Sequence, residues 1–94
     1  MTVVIFYYYI NITIMQEVEF LQYLVENIVE NTVDIKIESK DDELGTLLTL
    51  EVNKDDMGII IGKKGSTVNA LRSILRLQGM KIGKKITLKV LEQD

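Results

Sequence analysis

The chain has 94 residues, of which 47% are apolar and 27% charged, and its formal net charge is −3. This is the make-up of one folded domain with a modest core, and it excludes a disordered chain. There is no cysteine and no histidine. Disulfides, thiolate metal sites and a cysteine nucleophile are therefore excluded, and the side chain most used for proton transfer near neutrality is missing. No enzymatic activity, metal or cofactor is expected.

Residues 3–14 open the chain as an apolar, aromatic run of twelve. The run is shorter than the roughly 20 residues that span a bilayer, and it lacks the basic flank and cleavage site of a signal peptide. Its β-branched and aromatic content favours an extended strand. A glycosylation sequon at Asn11-Ile12-Thr13 reads as chance. Residues 1–14 are set apart as an apolar N-terminal extension, with Met15 a candidate true start. A domain over 15–91 and a tail over 92–94 follow.

From Gln16 the pattern is helical. Val18, Leu21, Leu24, Val25, Ile28 and Val29 recur at three- and four-residue steps, with Glu17, Glu19, Glu26 and Glu30 elsewhere and Asn31 as the terminator. Strict alternation from Val33 to Glu38 predicts a strand, and Ser39 to Gly45 an acidic loop. Thr46 to Val52 predicts a second strand with Leu48, Leu50 and Val52 on one face. Asn53 caps a short helix from Lys54, with Asp55 and Asp56 in its first turn, which must end at Gly62. A further helix after Gly65 turns Val68, Leu71, Ile74 and Leu75 inward and stops near Gly79. Lys85 to Val90 alternates as the last strand. The expected fold is α+β, in the order αββααβ, with helices on one face of a three-stranded sheet.

The most informative stretch joins the two short-range helices: Ile61, Gly62, Lys63, Lys64, Gly65, Ser66, Thr67, Val68. Glycines admit close backbone approach, lysines supply positive charge, and a helix start supplies unpaired N–H groups. A phosphate-binding P-loop is excluded, because counting from Gly58 its second glycine would fall at Lys63. A dinucleotide fingerprint is excluded because Ile60 stands where its middle glycine is required.

The whole pattern resembles the KH signature, I-G-x-x-G-x-x-[IV], at every defining position. The element order resembles the type II KH arrangement. Together with Met57-Gly58 before the loop and Ala70-Leu71-Arg72 after it, the chain resembles the small bacterial KH-domain protein A family from about Met15 to Leu91. The resemblance implies a cytoplasmic single-stranded RNA-binding protein that acts as an RNA chaperone. It also implies pairing with a larger KH-containing partner, KH-domain protein B, and a link to cell shape and cell-wall regulation.

On this reading Gly62 and Gly65 let phosphates reach the main chain. The N–H groups around Gly65 and Ser66 favour anions, and Lys63 and Lys64 add mobile charge. An apolar groove of Ile60, Ile61, Val68 and Leu71, edged by Arg72, would receive the bases. Ile61, Val68 and Leu71 read equally well as ordinary core, while Arg72, Arg76 and Lys54 read more readily as solvated charges, with Arg72 the best binding candidate of the three. Charge is divided along the chain. Residues 1–53 hold two lysines against ten acids, a balance of −8, and residues 54–94 hold nine basic residues against four acids, a balance of +5. The loop lies in the basic part, where the local field attracts a polyanion that the net charge would repel. All six aromatics precede residue 24, which disfavours domains that stack bases on strand aromatics. A four-nucleotide footprint predicts weak binding by one copy, so a homodimer or a heterodimer with KH-domain protein B is expected, with no membrane partner. The competing reading is a KH-fold protein-interaction adaptor with little RNA binding.

Overall fold

The computed structural model describes residues 16–92. The predicted N-terminal extension over 1–14 lies outside these residues. Helix α1 covers 16–26. Strands β1 (Lys36–Asp42) and β2 (Gly45–Glu51) follow, then α2 (Met57–Ile61), α3 (Ser66–Ile82) and β3 (Ile86–Val90). The α+β order αββααβ stands as expected. The sheet runs β1-β2-β3, with β1 antiparallel and β3 parallel to β2.

The alternation of β2 sets the layers. Thr46, Leu48, Leu50 and Val52 are buried, whereas Leu47, Thr49 and Glu51 are half-buried on the opposite face. Leu48 and Leu50 meet Leu21 and Val25 of α1, Ile60 of α2, Leu71 and Leu75 of α3, and Leu88 of β3 in one core. Complete burial of a leucine or isoleucine contributes about 1.5–3 kcal/mol. Leu21, Leu48, Leu50, Ile60 and Leu75 all reach that limit.

Four expectations are corrected. α1 ends at 26, well before Asn31, where Asn27 Nδ2 donates to the Tyr23 carbonyl at 2.7 Å. The first strand begins at Lys36 because Thr32–Asp34 form a single 3-10 turn that leaves Val33 92% exposed. It then continues through the acidic stretch assigned to a loop. The connection to β2 is only Glu43 and Leu44, held by Asp42 Oδ1, which accepts from the N–H groups of Leu44 (2.7 Å) and Gly45 (3.1 Å). α3 passes through Gly79 and ends at Gly83, whose φ of 77° makes the left-handed cap. Gly79 is instead buried where the chain folds back, and Lys84 N–H donates to its carbonyl at 2.8 Å.

Two buried carboxylates fasten the helical layer. Glu17, placed on the outer face of α1 by periodicity, is buried and pairs with Lys84 Nζ at 2.9 Å. Asp56 accepts from the N–H of Glu30 (3.2 Å) and from the N–H and side-chain amide of Asn31 (3.1 Å each), tying the end of the α1 segment to the turn that leads into α2. Burial pushes the Asp56 carboxyl up, but the hydrogen bonds from Glu30 and Asn31 outweigh it and hold the carboxyl below its ordinary value.

Candidate functional site

The approach to the glycine loop is built by Asn53. Its side chain accepts from the Asp55 N–H at 2.8 Å, so the capping role read from sequence is present. One turn of 3-10 helix (Lys54–Asp56) then leads into α2, which is closed by Gly62 N–H donating to the Gly58 carbonyl at 2.9 Å.

Gly62, Lys64 and Gly65 all have positive φ, at 76°, 55° and 77°. At Gly62 glycine is required twice over. A Cβ there would strike Thr67 Oγ1 and come within 2.7 Å of the Thr67 nitrogen. At Gly65 the nearest atom to a Cβ is Asn69 Nδ2 at 3.5 Å, so only the backbone conformation asks for glycine. Lys64 adopts the same left-handed region without a glycine's freedom, which costs about 1 kcal/mol.

The turn also decides which N–H groups face outward. Gly65 N–H donates to the Gly62 carbonyl at 3.2 Å, and Ser66 N–H to the Lys63 carbonyl. The two donors expected to be open are thus used in closing the turn. No hydrogen bond among the described residues takes up the N–H groups of Lys63 and Lys64. Their side chains are exposed and make no ion pair among those residues.

The expected apolar groove is largely core. Ile60 is fully buried, and Val68 and Leu71 are 5% and 3% exposed, so all three pack in the core. Ile61 alone of the four is half-open. The opening lies further along α3 instead. A cleft of about 650 Å³ between α3 and β3 is lined by Arg72, Arg76, Met80, Lys84, Lys85 and Leu88, among others. It begins at Arg72, about two helical turns or 10 Å beyond Gly65. Arg72 reaches across it, donating from Nε to the Leu88 carbonyl at 3.4 Å and from Nη1 to Asn69 Oδ1 at 3.3 Å. Lys84 is neutralised by Glu17, whereas Arg76 and Lys85 have no ion-pair partner among the described residues. Lys54 stands exposed on the turn before α2 and does not line this cleft.

Lys84 and Lys85 escaped the sequence reading, and Arg76 was read there as a solvated charge. Arg72, Arg76 and Met80 do follow one another at four-residue steps along a flank of α3, and that periodicity was the available signal. Among the described residues no acidic cluster suited to a metal ion occurs, and no helix is long and apolar enough to cross a membrane.

Residues 18–90, from α1 through β3, match the sequence family described as KhpA/KhpB, KH domain. The chain belongs to this family. Among its relatives is a protein of Borreliella burgdorferi, 29% identical over 76 residues that make up 81% of this chain and 93% of the relative. One from Chlamydia pneumoniae is 31% identical over 75 residues, covering 80% and 96% of the two chains. One from Listeria monocytogenes is 32% identical over 74 residues, covering 79% and 97%. All three are named RNA-binding protein KhpA. The KhpA/KhpB match covers the Gly62–Gly65 turn, both walls of the basic cleft and the hairpin on the far side of the sheet.

Proposed function

We propose that this chain is a single-stranded RNA-binding KH protein without enzymatic activity. The observation that carries the reading is the turn at Gly62–Gly65. It presents two unengaged N–H groups and two exposed lysines, and a cleft lined with arginine and lysine opens about 10 Å further along α3. The phosphates would rest on the Lys63 and Lys64 main chain, where Gly62 lets the turn close against Thr67, with Gly65 and Ser66 bracing the turn from behind. The strand would continue along Ile61 and Arg72 toward Arg76 and Lys85. Val68 supports this surface from within the core.

Main-chain clamping of phosphates carries no sequence information, so binding is expected to tolerate many sequences. The family resemblance extends the reading to an RNA chaperone in the cytoplasm. There it would act as a homodimer or with a larger KH-containing partner, KH-domain protein B, in post-transcriptional control linked to cell shape and cell-wall homeostasis.

Replacing Lys63 and Lys64 with aspartate tests the assignment. Affinity for a single-stranded oligonucleotide should fall about 100-fold or more while the melting temperature barely moves. With roughly 3 phosphates neutralised, the wild-type log–log salt slope should lie near about −2. Unchanged affinity in the variant would sink the reading and leave the protein-adaptor alternative.

A further inference from the structure

Beside the cleft the sheet ends in β3, whose outer edge no other strand covers among the described residues. Thr46 N–H donates to the Lys85 carbonyl, and Leu91 N–H to the Leu50 carbonyl. In a parallel ladder these bonds assign the odd-numbered residues of β3 to β2. Ile86 and Leu88 therefore turn both N–H and C=O away from the sheet, into the cleft that their strand lines. Left to itself, such an edge offers a donor and an acceptor side by side at each of these residues.

Arg72 takes the acceptor away at Leu88. Its Nε donates to the Leu88 carbonyl at 3.4 Å, and its Nη1 is steadied by Asn69 Oδ1 at 3.3 Å. The rest of the guanidinium fork has no partner among the described residues. Around Leu88 the fixed polar groups of the cleft are thus the Leu88 N–H and the open side of the Arg72 fork, all of them donors. The Thr87 hydroxyl, also on the cleft, rotates to suit either kind of partner and does not discriminate. Ile86 lies two residues back, about 6.6 Å along the strand, too far to serve the same base edge.

A patch of donors sorts the bases by chemistry. Uracil and guanine carry a ring carbonyl where cytosine and adenine carry an exocyclic amine. We propose that Arg72, by capping the Leu88 carbonyl, makes the cleft select a keto base, uracil or guanine, over an amino base at one nucleotide of the bound strand. A carbonyl there accepts from the fork and from Leu88 N–H. An amine would set donor against donor and lose its water without gaining a partner, which costs more than a good contact gains. Charge by itself makes no such distinction, since Arg76 and Lys85 attract the phosphates of every sequence alike. The inference rests on the single-stranded RNA reading and deepens it: the glycine turn is indifferent to sequence, and selection enters at one position beyond it.

Fluorescence anisotropy of the full chain with octamers of uridine and of cytidine tests this. Uracil and cytosine differ only along the base-pairing edge, so the ratio of their affinities isolates the contact. The wild type should bind the uridine octamer at least about fivefold more tightly. Arg72→Ala uncovers the Leu88 carbonyl, restores a donor beside an acceptor, and should bring the ratio to one or below. Arg72→Lys keeps the charge without the fork, and should lose most of the ratio while the salt slope stays unchanged. Arg76→Ala should weaken both octamers and leave their ratio intact. Equal binding of the two octamers by the wild type, a preference for cytidine, or a uridine preference that survives both Arg72 variants overturns the proposal and leaves RNA binding itself standing. If neither octamer binds, the single-stranded RNA reading falls together with it.

Discussion

The two margins of the sheet are built from opposite materials. β3 puts Ile86 and Leu88 into the core, lies against α3, and borders a cleft carrying Arg72, Arg76 and Lys85. β1 puts nothing fully into the core. Its best-covered side chain is the half-buried Ile37, and Glu38 through Asp42 are exposed. One margin is held by packing and leaves Arg76 and Lys85 without an ion-pair partner among the described residues. The other is held by the ladder to β2 and keeps its charge for solvent. The division of charge along the chain, −8 over residues 1–53 and +5 over 54–94, does not map simply onto the two margins, because β1 carries Lys36 and Lys40 against Glu38, Asp41 and Asp42 while Glu17, Glu19 and Glu26 lie on α1.

If stability is so divided, truncating one buried side chain of β3 should outweigh any single change on β1. Leu88→Ala, at a site 3% exposed, should destabilise by about 3 kcal/mol. Glu38→Ala or Ser39→Ala should stay within about 0.5 kcal/mol. Urea denaturation of the three variants gives the comparison directly. Equal losses on both margins would show that β1 carries a load that its exposure conceals.

The glycine loop offers the same kind of contrast over three residues. Gly62→Ala forces both a positive φ and a Cβ against Thr67, and should cost about 2–3 kcal/mol. Gly65→Ala forces only the φ, and should cost about 1 kcal/mol. Thermal melts of the two variants rank them. A reversed ranking would mean that Thr67 moves aside.

Which parts were legible in sequence follows from these differences. β2 and β3 bury one face, so their period of two survives in residue type, as at Leu48, Leu50 and Leu88. β1 has almost no buried face, and a strand made of Lys-Ile-Glu-Ser-Lys-Asp-Asp looks like a loop to any rule based on apolar alternation. Its apparent start at Val33 was an accident of alternating letters, since Val33 faces solvent on a 3-10 turn. The glycine loop was legible because glycine at positive φ leaves a mark in sequence. Its donors were misassigned because turn closure by Gly65 and Ser66 is a matter of backbone geometry that residue types do not encode. The cleft was missed for another reason: Lys84 and Lys85 join Arg72 and Arg76 only when the chain turns back at Gly83.

The cleft can be separated from the loop experimentally. Under the proposed function, Arg76→Ala/Lys85→Ala should lower affinity for single-stranded RNA roughly tenfold and reduce the salt slope by about 1, with the melting temperature unchanged. Filter binding at several salt concentrations measures both quantities. If affinity drops and the slope does not, the two residues hold the cleft's shape and do not meet phosphate.

A pH-dependent effect belongs to Asp56, which joins the acidic part of the chain to the approach of the basic loop. Its carboxyl lies below the ordinary value of 3.8, because three donors from Glu30 and Asn31 overcome the opposing influence of burial. A carboxyl lowered on folding stabilises the protein wherever the unfolded chain would be ionised. That stabilisation is present in full above the ordinary value and is lost as the pH falls from there through the lowered one. Asp56→Asn replaces one acceptor oxygen with an NH2 that faces donors, so the variant should be less stable at pH 7. Its deficit should narrow as the wild-type carboxylate is protonated in acid. Urea midpoints of both proteins at neutral pH and at about pH 3 report the gap, and other carboxylates cancel in the difference. A gap that stays constant across this range would mean that Asp56 holds Glu30 and Asn31 by shape alone.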